Sequence, residues 1–201
     1  MFVPLNTLKL LIVDDQSLVR TAMRHMLTAL GAKHLTDASS GEEAIELLLK
    51  QEFDLVISDI DMSPINGLEL LKHIRHGDYG LKRDTLLVML TGVSSKEFVI
   101  ACVNLDVNAF LTKPPKKELL MSRIQYALTT PFNLKEAKTY KLIVIPEINA
   151  PAAPTARANL ALAAAKKSQE EEQNSNAMAQ EPGMHYIIWS DKFQFGLPTL
   201  D

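Results

Sequence analysis

The sequence predicts an α/β protein built on a doubly wound, five-stranded parallel sheet, and three observations carry this prediction. Five times, an apolar run of strand length is followed by a segment whose apolar residues recur at helical spacing. The strands read as continuous rather than alternating apolar runs, as strands buried on both faces must. Each unit has a polar or turn-forming junction between strand and helix. Crossovers between parallel strands are right-handed, so such a chain covers both faces of its sheet with helices.

The elements follow in order. Leu8-Lys9-Leu10-Leu11-Ile12-Val13 ends in Asp14-Asp15, and Ser17 to Leu30 forms a helical pattern closed by Gly31. His34 to Ala38 is a weaker strand, and Ser40-Gly41-Glu42-Glu43 opens a helix with acidic residues suited to its dipole. Phe53 to Ser58 runs into Asp59; Ser63-Pro64 and Asn66-Gly67 turn the chain before a helix from about Leu68 to His76. Leu86 to Leu90 ends at Thr91-Gly92, ahead of a helix over Ser95 to Asn104. Ala109 to Thr112 ends at Lys113-Pro114-Pro115, ahead of a helix from roughly Lys116 to Leu128.

Composition narrows the function classes. The 201 residues are 47% apolar and 22% charged, an ordinary soluble balance, and no apolar run approaches a membrane span. Met1 to Lys9 has no signal-peptide pattern, so the expected compartment is the cytoplasm. The single cysteine, Cys102, excludes an intrachain disulfide and a cysteine metal cage, and its neighbours Val99, Ile100 and Val103 mark it as a buried helix thiol. A net charge of −3 gives no global reason to expect nucleic acid, so a protein partner is expected.

In a doubly wound sheet the ligand crevice lies at the carboxyl ends of the strands, and here those ends carry Asp14, Asp15, Asp59, Thr91 and Lys113. Crowded carboxylates repel one another unless a cation compensates, and magnesium is the natural one because it takes one or two carboxylates and keeps its waters. Asp15 and Asp59 can serve as its ligands, with Asp14 acting through a bound water. A carboxylate can also attack phosphorus to give an acyl phosphate, and Asp59, on the central strand, is best placed. Lys113 and the Thr91 hydroxyl are candidates to stabilise the charge on the transferred group.

Asp14-Asp15 after the first strand, Ile57 to Met62 with Pro64 and Gly67 after the third, Thr91 after the fourth and Phe110-Leu111-Thr112-Lys113-Pro114 after the fifth resemble the receiver domain of two-component response regulators. Any one piece is common; all four in order, each at the end of its strand, are specific. The resemblance covers about residues 7–129 and implies a flavodoxin-like (βα)5 fold.

It further implies that Asp59 accepts a phosphoryl group from a phosphohistidine on a sensor histidine kinase or a histidine phosphotransfer protein. Asp14, Asp15, Asp59 and the backbone carbonyl of Asp61 would organise Mg2+ (or Mn2+), Lys113 would pair with a phosphoryl oxygen, and Thr91 would hydrogen-bond another. Phe110 stands where the family has its switch aromatic. It is expected to turn inward and remodel the face formed by the fourth helix, fifth strand and fifth helix, for a downstream protein, a C-terminal output domain or a homodimer. No nucleic acid and no membrane are expected as partners.

Two departures from the family pattern carry expectations. Asp106 stands where glycine is common before the fifth strand, and Asp tolerates left-handed geometry. Position 93 is Val, which cannot orient water, so slow loss of the phosphoryl group is expected.

After about residue 130 the character changes. The domain expected over 5–130 gives way to a linker over 131–183, largely disordered or partly helical around Arg157 to Glu172, because it holds few large apolar residues to offset ordering entropy. Tyr140 to Ile148 interrupts it with a short apolar run of uncertain form. Residues 184–201, with Trp189-Ser190, Phe193, Phe195, Gly196 and Asp201, resemble the opening of a bacteriohaemerythrin domain. On that resemblance the chain is the front part of a receiver–haemerythrin protein, and di-iron enters only with the missing helices.

The plainer readings weigh differently from site to site. Asp14-Asp15 alone is more often a solvated strand end, and Thr91 alone a helix cap; the company of Asp59 and Lys113 reverses both. His73 and His76, three apart on the third helix, read as exposed helix histidines rather than a metal pair. Met23, Met26, Met89 and Met121 read as core filler. The rival function is a haloacid-dehalogenase-like phosphatase using Asp59 and Asp61, but that family's second acidic pair follows the nucleophile, and here Asp14-Asp15 precedes it. A receiver that labels itself stoichiometrically, rather than a turnover enzyme, is therefore expected.

Overall fold

The computed structural model describes residues 2–92 and 96–146. Five strands, β1 (Lys9–Val13), β2 (His34–Ala38), β3 (Leu55–Asp59), β4 (Leu87–Thr91) and β5 (Ala109–Thr112), form one parallel sheet in the order β2-β1-β3-β4-β5. Between and after them run α1 (Ser17–Ala29), α2 (Gly41–Lys50), α3 (Gly67–His76), α4 (Lys96–Asn104), α5 (Lys117–Thr129) and the short α6 (Ala137–Lys141). This is the doubly wound, flavodoxin-like arrangement expected, with its topological switch point between β1 and β3.

Alternation along the strands divides the core. Leu11, Val13, Val56, Leu87 and Met89 face the layer that includes Leu68, Leu71, Ile74, Phe98 and Cys102, whereas Leu10, Ile12, Ile57, Val88 and Leu111 face Met23, Leu27, Leu120 and Ile124. The central strands are buried at every position, and they are apolar until their carboxyl ends, where Ser58, Asp59 and Thr91 stand. Cys102 is buried as expected, while Val99, Ile100 and Val103 point outward.

Local chemistry fixes the helix starts. Ser40 caps α2 by accepting from the Glu43 amide, and Asn66 with Glu69 forms a reciprocal capping box on α3. The α3 end is closed by Gly77 in the left-handed region (φ 84°). Asp106 occupies the left-handed conformation expected of it, with φ 52° in the turn before β5.

The structure adds one element that sequence patterning did not give. The described part of the stretch expected to be linker, residues 131–146, folds back against α3: Tyr140 is fully buried, and Leu134, Ile143 and Ile145 pack against the α3 side of the core. Polar bonds hold it there. Lys72 donates to the Ile143 carbonyl at 2.7 Å, Arg83 to the Lys135 carbonyl at 2.6 Å, and Tyr140 through its hydroxyl to Asp106 at 2.6 Å. Burial raises the Tyr140 phenol's proton affinity and the bond to Asp106 raises it further, so the phenol stays the donor. The helical stretch expected around Arg157 to Glu172 and the haemerythrin-like residues 184–201 lie outside the described residues.

His73 and His76 are neither freely exposed nor paired with each other. Their Nδ1 atoms each lie 2.6 Å from a different oxygen of Asp78, just past the C-terminus of α3.

Candidate functional site

The carboxyl ends of β1, β3, β4 and β5 bring Asp14, Asp59, Thr91 and Lys113 to one rim. Asp14 directly follows β1, Asp59 ends β3, Thr91 ends β4, and Lys113 follows β5. Asp14 is fully buried, Asp59 is 2% exposed and Thr91 is buried, while Asp15 faces solvent. One carboxylate oxygen from each of Asp14, Asp15 and Asp59 falls within a 4.8 Å cluster.

Lys113 crosses the crevice. Its ammonium lies 2.6 Å from Asp14 Oδ2 and 2.8 Å from Asp59 Oδ2. Burial alone disfavours its charge, but the hydrogen bonds to both carboxylates outweigh that and raise its proton affinity. Asp59 is raised as well, for a different reason: burial holds its carboxyl above the ordinary value of 3.8, the Asp14 charge adds to this, and Lys113 with the Asp61 amide opposes it. The Asp59 carboxylate is thus a destabilised anion held beside one cation.

Its two oxygens differ. Oδ2 is engaged by Lys113, whereas Oδ1 is buried without a hydrogen-bond partner. A buried carboxylate oxygen without a partner is costly, and an ion or an incoming group at Oδ1 would remove that cost. Three carboxylates against one lysine leave an excess of two negative charges, which suits one divalent cation in an all-oxygen site.

The neighbours that shape this rim were partly hidden in the sequence. Gly67 was legible as a turn residue, but its reason is spatial: a Cβ there would stand 2.0 Å from the Asp59 carbonyl oxygen, so the start of α3 closes on the site only through glycine. Asp14 is oriented by the Gln16 amide on Oδ1 at 2.9 Å, and Arg20 donates to the Asp14 carbonyl at 2.6 Å. Nothing in the spacing marks Arg20 for that task. The Asp61 side chain is exposed, and its amide reaches the Asp59 carboxylate. Val93 lies outside the described residues.

Phe110 points outward from β5 and is 40% exposed. Behind it lies a cavity of about 10 Å³ lined by Ile60, Thr91, Phe98, Val99, Cys102 and Phe110 itself. An apolar cavity that admits a benzene ring measures about 150 Å³, so this void cannot take the Phe110 ring while α4 stays in place.

Among the described residues no helix is long and apolar enough to cross a membrane. Residues 10–125 match the family model of the response regulator receiver domain. The chain is 36% identical over 109 residues to the chemotaxis protein CheY-3 of Vibrio cholerae, covering 54% of this chain and 82% of that protein. It is 35% identical over 125 residues to a chemotaxis protein CheY homolog of Campylobacter jejuni, covering 61% of this chain and 94% of that one. Among solved structures, the chemotaxis protein CheY4 of Vibrio cholerae superposes with a TM-score of 0.55 at 30% identity, covering 60% of this chain and 98% of that one. With the acidic rim and the strand order already placed, these likenesses settle the lineage: the chain belongs to the response regulator receiver domain family of two-component signalling proteins.

Proposed function

We propose that Asp59 is the phosphoacceptor of this receiver and that its partner is a histidine kinase or a histidine phosphotransfer protein. The observation that carries this reading is the Asp59 carboxylate itself, 2% exposed, with Oδ2 on Lys113 and Oδ1 without a partner. Oδ1 attacks phosphorus, the bond from phosphorus to the donor's imidazole nitrogen breaks, and the imidazole leaves with the electron pair of that bond and takes up a proton. Lys113, already beside Asp59, pairs with an oxygen of the transferred group, and the Thr91 hydroxyl donates to another.

Receiver domains bind Mg2+ at an acidic cluster, and the residues here fit such an ion. Asp14, Asp15 and Asp59, with the Asp61 carbonyl, would hold Mg2+ (or Mn2+), which supplies positive charge against the phosphoryl oxygens. Once Thr91 turns to the phosphoryl group, the space it leaves and an outward shift of α4 let Phe110 move in, because the present cavity is too small for its ring. The two arrangements differ in the surface they show a downstream protein, and phosphorylation favours one of them.

Incubation with acetyl phosphate and Mg2+ tests this by intact mass. One phosphoryl addition per chain is expected, absent in Asp59→Asn. Steady release of inorganic phosphate with no labelled protein would instead mean a phosphatase of the haloacid-dehalogenase type. Val93 offers no polar group to an attacking water, so the labelled protein is expected to outlast the purification that removes the donor; loss of label within seconds would contradict this.

A further inference from the structure

Asp14 is held through its backbone from two neighbouring elements. Its amide donates to the Ala38 carbonyl at the end of β2 at 3.2 Å, and its carbonyl accepts from Arg20 of α1 at 2.6 Å. Its carboxylate is held as well, Oδ1 by the Gln16 amide at 2.9 Å and Oδ2 by Lys113 at 2.6 Å. Asp15 differs: its side chain faces solvent and makes no hydrogen bond or ion pair among the described residues. Yet one of its oxygens falls in the same 4.8 Å cluster as Asp14 and Asp59.

The Asp14 carbonyl and the Asp15 nitrogen belong to one planar peptide unit. A guanidinium that fixes the carbonyl oxygen therefore fixes the plane from which the Asp15 side chain departs. Arg20 is half-buried, and its own amide bonds to the Gln16 carbonyl at 3.1 Å, so one turn of helix supplies both the donor to Asp14 Oδ1 and the donor to the Asp14 carbonyl. Ser39, next to Ala38, donates to Glu43 Oε2 from Oγ at 2.6 Å and from its amide at 2.7 Å. These bonds, with a smaller contribution from the Arg20 charge, outweigh burial and hold the Glu43 carboxyl below its ordinary value. An anion anchored on α2 thus stands within electrostatic reach of the guanidinium.

We infer that Arg20 is a positioning residue for the divalent cation: by holding the Asp14 carbonyl it sets the direction of the Asp15 carboxylate, and so the fit of the Asp14–Asp15 pair to the ion, while touching neither the ion nor the phosphoryl group. The inference rests on the metal part of the reading above. Charge alone predicts the opposite outcome. Arg20 is a cation beside a cation site, so its removal by Coulomb's law strengthens the binding of a divalent ion. Removal of a positioning bond weakens it, and the sign of the change separates the two.

Titration of the unphosphorylated full chain with Mn2+, following the free ion by electron paramagnetic resonance, tests this, with Mg2+ as competitor. Arg20→Met is expected to bind the ion about tenfold more weakly than the wild type. Arg20→Lys keeps the charge and a single donor on a flexible stem, so it is expected to fall between them; charge alone would make it equal to the wild type. In an Asp15→Asn background the further loss from Arg20→Met is expected to shrink, because the two act on one ligand. With acetyl phosphate, Arg20→Met is expected to take up label as the wild type does in saturating Mg2+ and to lag when Mg2+ is limiting, a split that a general loss of stability would not produce. Tighter or unchanged ion binding in Arg20→Met, or a full additional loss in the Asp15→Asn background, overturns the inference alone. Absence of ion binding by the wild type overturns it together with the metal reading.

Discussion

At the carboxyl end of the sheet Asp59 is buried with one oxygen unpartnered, whereas toward the amino ends of β4 and β5 Arg75 is buried with all five of its N–H donors placed. Its acceptors are the carbonyls of Arg83, Thr85 and Asp106 and the amide oxygen of Asn108, and the Phe132 ring lies 5.1 Å below the guanidinium. Burial lowers the Arg75 pKa to about 10, which still leaves it charged at neutral pH. One end buries a charge that is kept incompletely satisfied; the other buries a charge with every bond made. The difference separates a region built to react from a region built to hold.

The largest effect is expected at the reactive end. Asp59→Asn abolishes the phosphoryl mass shift outright and leaves the fold intact, because the amide keeps the shape of the carboxylate while removing an anion that burial disfavours. Its urea midpoint at neutral pH is expected to equal or exceed that of the wild type. A clear drop would mean that Asp59 contributes to stability as Arg75 does and that the two ends do not differ.

Next comes the holding end. Arg75→Met removes the guanidinium from three backbone carbonyls and from Asn108 Oδ1, which keeps only the Leu87 amide, a loss of about 3–5 kcal/mol for breaking a buried charged network from one side. A domain of this size is stable by about 5–15 kcal/mol, so the variant is expected to sit near unfolding while any folded fraction still takes up label. Equilibrium urea denaturation beside intact mass checks both halves. Full stability in this variant would remove the contrast.

A smaller effect, in pH dependence, sets the two ends against each other by sign. The Asp59 carboxyl binds its proton more tightly folded than unfolded, so its ionisation costs stability as pH rises from about 3.8 through the higher folded value. Asp78 behaves oppositely. Burial alone would raise its proton affinity, but the hydrogen bonds from His76 and His73 outweigh that and lower it, so its contribution is present above 3.8 and is lost as pH falls through the lower folded value. Urea midpoints across the acidic range should show the advantage of Asp59→Asn growing toward neutral pH and the deficit of Asp78→Asn vanishing in acid. Two curves of the same sign would contradict the assignment.

The same contrast explains what the sequence disclosed. The reactive end was legible because Asp14, Asp59, Thr91 and Lys113 each sit where an apolar strand stops, and the parallel sheet alone brings such positions together. The parallel sheet followed from the same pattern, whereas its strand order came only with the structure. The holding end was not legible, because its geometry comes from carbonyls, which every residue type carries, and from side chains scattered between Lys72 and Tyr140 with no common period. Arg75 in sequence is one basic residue in the last turn of a helix, and only coordinates show that its outlets are backbone oxygens. Tyr140 lies in a short, weakly patterned stretch whose burial depends on the surface it meets. Phe132 and Lys135 lie in the irregular stretch between α5 and α6, so propensity says nothing about them.

The smallest effect probes the joint between the holding end and the segment after α5. Tyr140→Phe keeps the buried ring and removes one hydroxyl, so it deletes a single hydrogen bond to Asp106 at a cost of about 1 kcal/mol. Lys135 remains on the other oxygen of that carboxylate, which limits the loss. Tyr140→Ala instead empties a site with no exposed surface, and the cavity together with the lost transfer energy raises the cost to about 3–5 kcal/mol. Comparing the two by urea denaturation separates the bond from the packing. Equal costs would show that the hydroxyl's contact with Asp106 dominates and that the ring contributes little. A large cost for Ala beside a small one for Phe would show that residues 131–146 belong to the folded body chiefly through apolar burial, with the bond to Asp106 free to serve direction rather than stability.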